Sequence, residues 1–273
     1  MYPYRVFLGL SAYDILICVG ILLCFFTFSH LADKRKMKAK LQNFAMVCGV
    51  VAIGLGLLSA VLFQALYNIE SRGAFEITTN TGMTFYGGLI GGAGVFLLIW
   101  FTVGSYMFKG GENKSSFFTL ASCAVPGIVI AHALGRLGCL MAGCCHGSRT
   151  EAWIGIMMHG NEGYAKYVPT QLFEAIFLLC LFSLVFIRAK EGGRYNLPLY
   201  MSVYAVWRFI IEFARDDYRG SIPVVNITPS QFIAVLMILG SVGVFFLEKW
   251  VCDKAEKTSV SVAEDEKSEE ADK

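Results

Sequence analysis

Seven apolar stretches separated by polar loops dominate the chain, at about 12–31, 43–68, 83–108, 117–135, 171–188, 197–214 and 229–250. A helix needs about 20 apolar residues to cross a bilayer, and each stretch approaches that length. The pattern predicts an all-α, polytopic membrane protein with seven transmembrane helices. Basic residues gather in alternate loops. Lys34, Arg35, Lys36, Lys38 and Lys40 crowd the first loop, Lys109 and Lys114 the third, and Arg188, Lys190 and Arg194 the fifth; Lys249 and Lys254 follow the last stretch. With seven spans, all four clusters fall on one side, which the positive-inside rule assigns to the cytoplasm. The N-terminus is then outside and the C-terminus cytoplasmic. A missed helix would scatter the clusters over both sides. The loops at about 69–82, 136–170 and 215–228 face outward.

Composition sharpens this reading. The 273 residues are 56% hydrophobic and 16% charged, with a mean hydropathy of +0.58; soluble domains carry roughly 25% charged residues. A net charge of +2 gives no footprint for nucleic acid. The first apolar stretch, Ala12 to Phe28, has no basic cluster before it and ends at Lys34-Arg-Lys, so it reads as a retained helix. Residues 1–252 form the membrane domain. The stretch 253–273 holds eight acidic and four basic residues with almost no large apolar side chains, and reads as a disordered cytoplasmic tail.

The densest chemistry lies in His132-Ala-Leu-Gly-Arg136-Leu-Gly-Cys-Leu-Met-Ala-Gly-Cys-Cys-His-Gly147. Arginine keeps its proton and is costly in hydrocarbon, so Arg136 needs a partner or an anionic ligand such as a lipid headgroup. His132 and Arg136 are four residues apart and share a helical face. Arg208, Glu212 and Arg215, at spacings of four and three, share another. Either Glu212 neutralises its neighbours inside the bundle, or it orients an arginine that grips phosphate through its guanidinium fork. Gly87-Gly-Leu-Ile-Gly-Gly92, with Tyr86 before it, serves either tight helix packing or a groove that admits a headgroup. Pro169-Thr-Gln-Leu-Phe-Glu174 opens the fifth helix, and Glu174 is placed to pair with a membrane arginine.

Cys18, Cys24, Cys48, Cys123 and Cys180 sit singly in apolar stretches and read as small core hydrophobes. Cys139, Cys144, Cys145 and His146 fit no common structural zinc spacing, because adjacent cysteines do not easily ligate one tetrahedral ion. Packing beside a glycine turn, a reactive thiol and a metal site all remain open for them. The expectation carries no metal and no cofactor.

These motifs, in order, resemble the bacterial prolipoprotein diacylglyceryl transferase family over nearly all of the spans. Thr81-Gly-Met-Thr-Phe-Tyr-Gly-Gly-Leu-Ile-Gly91 is similar to the family's Gly-Met-Ser-Phe-His-Gly-Gly-Leu-Ile-Gly. Ser116-Phe-Phe, Pro126 and Gly135-Arg-Leu-Gly138 follow the approach to its Gly-Arg-x-Gly-Asn-Phe-x-Asn-x-Glu signature. Pro169-Thr-Gln-Leu-Phe-Glu174, Arg208-Phe-Ile-Ile-Glu-Phe-Ala-Arg215 and Ser230-Gln231 match later family segments. The resemblance implies transfer of the diacylglyceryl group of phosphatidylglycerol to the signal-peptide cysteine of a prolipoprotein. It implies a monomer in the bacterial cytoplasmic (inner) membrane, with its active site toward the outer face. Arg208, Tyr86 and His132 are the catalytic candidates. Arg136, Gly87, Gly88, Gly91, Gln171, Glu212 and Arg215 are the substrate-binding candidates.

The polar lining departs from the family. Tyr86 replaces a histidine, Cys139 and Ala142 replace asparagines, Cys144 replaces a glutamate, and Val168 replaces a second histidine. His132 or His146 is a candidate to take over as base. The alternatives are an anionic-lipid-binding protein with another acceptor, or a cysteine-based redox or metal role.

Overall fold

Ser11 starts the first helix by a reciprocal cap. Its hydroxyl accepts from the Asp14 amide at 3.2 Å, and its own amide donates to the Asp14 carboxylate at 2.9 Å. Such a box satisfies amides that a helix start leaves unpaired. The structure, a computed structural model of the chain, describes residues 5–7, 9–72, 75, 77–78, 81–160, 163–215 and 227–271. Its helices are α1 (Ala12–Lys34), α2 (Ala39–Arg72), α3 (Phe85–Phe101), α4 (Val103–Met107), α5 (Glu112–Ser115), α6 (Phe117–Ala142), α7 (Thr170–Lys190), α8 (Asn196–Ile211) and α9 (Pro229–Ala271). A 3-10 turn, Glu212–Ala214, extends α8. Two antiparallel pairs complete it: β1 (Arg5–Phe7) with β2 (Leu10–Ser11), and β3 (Ile156–Gly160) with β4 (Gly163–Tyr167).

Among the described residues, seven helical stretches are long and apolar enough to span a membrane: Ala12–Lys34, Ala39–Ile69, Phe85–Met107, Phe117–Ala142, Thr170–Lys190, Asn196–Ala214 and Pro229–Lys254. The chain is an all-α, multi-pass membrane protein. Three boundaries depart from the sequence expectation. The fourth span continues seven residues beyond 135 and carries Arg136 and Cys139 inside the helix, where an ion pair offsets the arginine's charge. The loop after it contains the β3–β4 hairpin. The tail from Asp253 continues as helical backbone to Ala271, a stretch rich in the helix formers Ala, Glu and Lys. Most of the loop at 215–228 lies outside the described residues.

The chain divides into two compact units, Lys36–Phe117 and the remainder. In the first unit, α2 and α3 run together through small residues. A Cβ at Gly56 would stand 3.1 Å from both the Gly88 carbonyl and the Gly92 Cα. One at Gly87 would meet the Phe63 Cβ at 2.6 Å, and one at Gly91 would overlap Ser59. In lipid, where apolar burial gives little drive, such close approach supplies the packing. Asn113 closes the far end, trading hydrogen bonds with the Trp100 backbone carbonyl and indole.

In the second unit, α1 lies against α6 through two glycines. A Cβ at Gly127 would meet the Cys24 carbonyl at 2.5 Å, and one at Gly20 would stand 3.3 Å from Ala131. Val125, Val129 and Ala133 of α6, Leu178, Leu181 and Val185 of α7, and Tyr204 of α8 form the buried core. Leu22, Phe26, Leu239 and Phe246 point outward from their helices, as lipid-facing residues of a bundle do. Cys48 and Cys123 are buried as expected, but Cys18 and Cys180 lie on exposed helix faces. An apolar segment reads alike whether its side chains meet protein or lipid.

Candidate functional site

Four residues of the eighth helix and its extension, Tyr200, Tyr204, Arg208 and Glu212, recur every four positions and line one face. The face is turned inward: Tyr204, Arg208 and Glu212 are all buried. Arg208 reaches Glu212 at 2.6 Å and donates to the Ser230 hydroxyl of α9 at 2.9 Å. Thr228 donates to the other Glu212 oxygen at 2.9 Å, and Arg215 approaches the same carboxylate at 3.8 Å. Glu212 thus holds two guanidinium groups and is itself fixed by a hydroxyl.

A second network joins α6, α7 and α8. Arg136 lies 3.0 Å from Glu174, whose side chain is almost wholly buried. Tyr204 donates to the same carboxylate at 2.8 Å, and His132 lies 3.8 Å from it. His132 also meets the Tyr200 hydroxyl at 3.3 Å and stacks edgewise on Tyr204. Both networks draw on the one face of α8 that carries Tyr204 and Arg208. Three guanidinium groups, those of Arg136, Arg208 and Arg215, are thus gathered about the carboxylates of Glu174 and Glu212. Guanidinium forks of this kind suit bidentate binding of a phosphate.

The cysteine turn is bolted to this cluster. Gln171 donates to the Cys144 carbonyl at 2.5 Å, and Thr170 to the Cys145 carbonyl at 3.0 Å. Gly147 donates to Val168, Ser148 donates to Ala214, and Gly147 bridges to Arg215. A Cβ at Gly147 would overlap the Ala214 carbonyl, so glycine is required there. Gly143 and Cys145 take positive φ, 72° and 61°. That left-handed bend turns adjacent side chains toward one side. The sulfurs of Cys139, Cys144 and Cys145 consequently lie within 4.8 Å of one another. This backbone brings together three sulfurs whose spacing fits no common structural zinc pattern. Hydrogen bonds from Cys139 and Cys144 hold the Cys145 thiol well below its usual range, with the Arg215 and Arg136 charges acting in the same direction.

The structure therefore brings His132, Arg136, Gln171, Arg208, Glu212 and Arg215 into one neighbourhood. His146 sits beside it, with its ring against Tyr167 and one nitrogen 2.9 Å from the Gly147 carbonyl. Tyr86, Gly87, Gly88 and Gly91 belong to the other unit. There Tyr86 is half-buried against Phe85, and the three glycines face α2. Sequence reasoning missed Tyr200, Tyr204 and Thr228. The two tyrosines carried a signal, since they continue the four-residue spacing back from Arg208. Thr228 carried none.

A profile of the prolipoprotein diacylglyceryl transferase family matches residues 4–247. The phosphatidylglycerol–prolipoprotein diacylglyceryl transferase 2 of Clostridium perfringens is 30% identical over 251 residues, covering 89% of this chain and 92% of that protein. The corresponding transferase of Clostridium tetani is 29% identical over 253 residues, covering 89% and 95%. That of Dehalococcoides mccartyi is 29% identical over 228 residues, covering 78% and 80%. With seven membrane-length helices and the arginine motifs in register, the chain belongs to the prolipoprotein diacylglyceryl transferase family.

Proposed function

We propose that this protein transfers the diacylglyceryl group of phosphatidylglycerol to the cysteine thiol of a prolipoprotein signal peptide. The observation that carries the reading is the gathering of three arginines about two buried carboxylates, Arg136 against Glu174 and Arg208 and Arg215 about Glu212. Phosphatidylglycerol presents a phosphodiester monoanion, which guanidinium forks suit. As the thiol sulfur bonds to the glycerol carbon, the carbon–oxygen bond to phosphate breaks and glycerol phosphate leaves with added charge. Preorganised guanidinium groups stabilise charge that develops at that point. Arg136 and Arg208 hold the phosphate, Glu212 and Ser230 fix the Arg208 fork, and Gln171 fixes the adjacent turn. Tyr86 supplies a hydroxyl that can donate or accept, a role supported by its place in the family motif. His132, against Glu174 and Tyr200, is a candidate proton acceptor.

The alternation of basic loops supports an outside N-terminus, a cytoplasmic C-terminus and a site on the outer side of the bacterial inner membrane. Headgroup selectivity tests the reading. Purified protein should transfer from phosphatidylglycerol and not from zwitterionic phosphatidylcholine, and Arg136→Ala and Arg208→Ala should each abolish transfer. Equal use of both lipids, or undiminished transfer by either variant, overturns it.

A further inference from the structure

We propose that Cys139, Cys144 and Cys145 hold a zinc ion whose fourth position takes the acceptor thiol. The proposal rests on the transferase reading above and deepens it. Three observations support it. First, the three sulfurs lie within 4.8 Å of one another. A tetrahedral zinc–thiolate site with bonds of about 2.3 Å places its sulfurs about 3.8 Å apart, so closing on an ion takes small side-chain rotations. Second, the turn that gathers them is built rather than loose. Cys139 is on the last turns of α6, and the Cys144 amide donates back to its carbonyl at 3.1 Å. Gln171 and Thr170 fix the next two carbonyls, and Cys145 keeps its left-handed φ. Third, the neighbourhood supplies charge. Three thiolates around a divalent zinc carry a net negative charge, and the arginine-rich networks lie beside it.

Three protein ligands leave one position open, the arrangement of catalytic rather than structural zinc sites. Cys144 is an exposed residue, so the cluster is reachable from outside the helices. The chemistry also answers a need. Cys139 and Cys144 stand where the family's signature carries an asparagine and a glutamate, so the polar lining has been exchanged for sulfur. A thiol is a poor nucleophile until it becomes a thiolate, and a coordinating thiol is deprotonated outright. The acceptor cysteine gives its proton to the base, His132 in the reading above, as its sulfur binds zinc. That sulfur then attacks the glycerol carbon. The sulfur–carbon bond forms, the carbon–oxygen bond breaks, and its electron pair leaves on the phosphate oxygen. The thioether product is a weaker ligand and dissociates. Zinc remains divalent throughout.

The test uses full-length protein purified in detergent without chelator. Elemental analysis should find about one zinc per chain, as expected of a single mononuclear site. Cys139→Ser, Cys144→Ser and Cys145→Ser should each lose it on dialysis against a weak chelator, while Cys180→Ser keeps it. Cobalt(II) reconstitution of the unaltered chain should give thiolate charge-transfer absorption and the visible bands of a tetrahedral site. Those bands should move on adding a signal peptide bearing cysteine and stay still with its serine counterpart. The cobalt titration needs no variant, so a folding failure in the serine variants leaves the test intact. Absence of zinc, equal retention by the serine variants, a disulfide among the three thiols, or cobalt bands that ignore the peptide thiol overturns the proposal. Undiminished transfer by zinc-stripped protein also overturns it, with the transferase reading intact. Cobalt bands that respond to the thiol with no lipid reaching the peptide support the site and overturn the transferase reading instead.

Discussion

Removing the Glu174 carboxylate should be among the most damaging single changes outside the lipid-facing surface. Its side chain is 1% exposed, that of Arg136 is 16% exposed, and the pair is 3.0 Å apart. At an effective dielectric constant of about 20, unit charges at that distance attract by about 5 kcal/mol. Desolvation of both groups offsets much of this in the intact protein. Deleting one partner leaves the other's desolvation uncompensated, at a cost of about 3–5 kcal/mol. Glu174→Ala also strands the Tyr204 hydroxyl, which donates to the carboxylate at 2.8 Å. Thermal unfolding in detergent, followed by tryptophan fluorescence, should show a midpoint lower by on the order of 10 °C. The double variant Arg136→Ala/Glu174→Ala should recover part of that loss, because no buried charge is then left alone. A Glu174→Ala protein that melts like the unaltered one, or a double variant less stable than either single one, would refute the reasoning.

Other variants separate positioning from packing. Arg208→Lys keeps the charge but loses the fork that reaches Glu212 and Ser230 together; its kcat for transfer should fall about 100-fold, comparable to losing one oriented donor, with little change in melting. Gly147→Ala forces a methyl into the Ala214 carbonyl, and should lower both activity and thermal stability, which paired transfer and melting measurements would reveal. His132→Ala should slow transfer by about 100-fold or more if His132 accepts the thiol proton, and His146→Ala should not; unaltered rates in both variants would exclude either ring as the base.

Much of the bundle was legible because lipid imposes long, unambiguous apolar runs. The seven spans emerged within a few residues except near Arg136. There the charged residue marked a helix end in the sequence, although the chain continues helical because Glu174, 38 positions later, neutralises it. No local pattern contains that partner's distance. The site was half legible. Spacings of four placed His132 with Arg136 and Arg208 with Glu212, and the structure adds Glu174 and Tyr204 to the first pair and Ser230 and Thr228 to the second. The glycine run was legible only as two alternatives, and the close approach of Gly87 to Phe63, Gly88 to Ala60 and Gly91 to Ser59 shows three of its members packed on α2. The gathering of the cysteine sulfurs was not legible because spacing says nothing of φ: left-handed residues at Gly143 and Cys145 bend the turn that brings them together. In the tail two sequence signals point in different directions: its charge density is that of a disordered segment, and its Ala, Glu and Lys content is that of the helical backbone that runs to Ala271.

The central claim is tested most directly by the mass of the acceptor peptide. Purified protein would be incubated with phosphatidylglycerol of defined acyl chains and a signal peptide carrying one cysteine, followed by intact-mass and fragment analysis. The account predicts a gain equal to one diacylglyceryl group, located on the cysteine sulfur, with an equal amount of glycerol phosphate released and neither product formed by Arg208→Ala. A peptide of unchanged mass under conditions in which the protein binds both phosphatidylglycerol and peptide would contradict it.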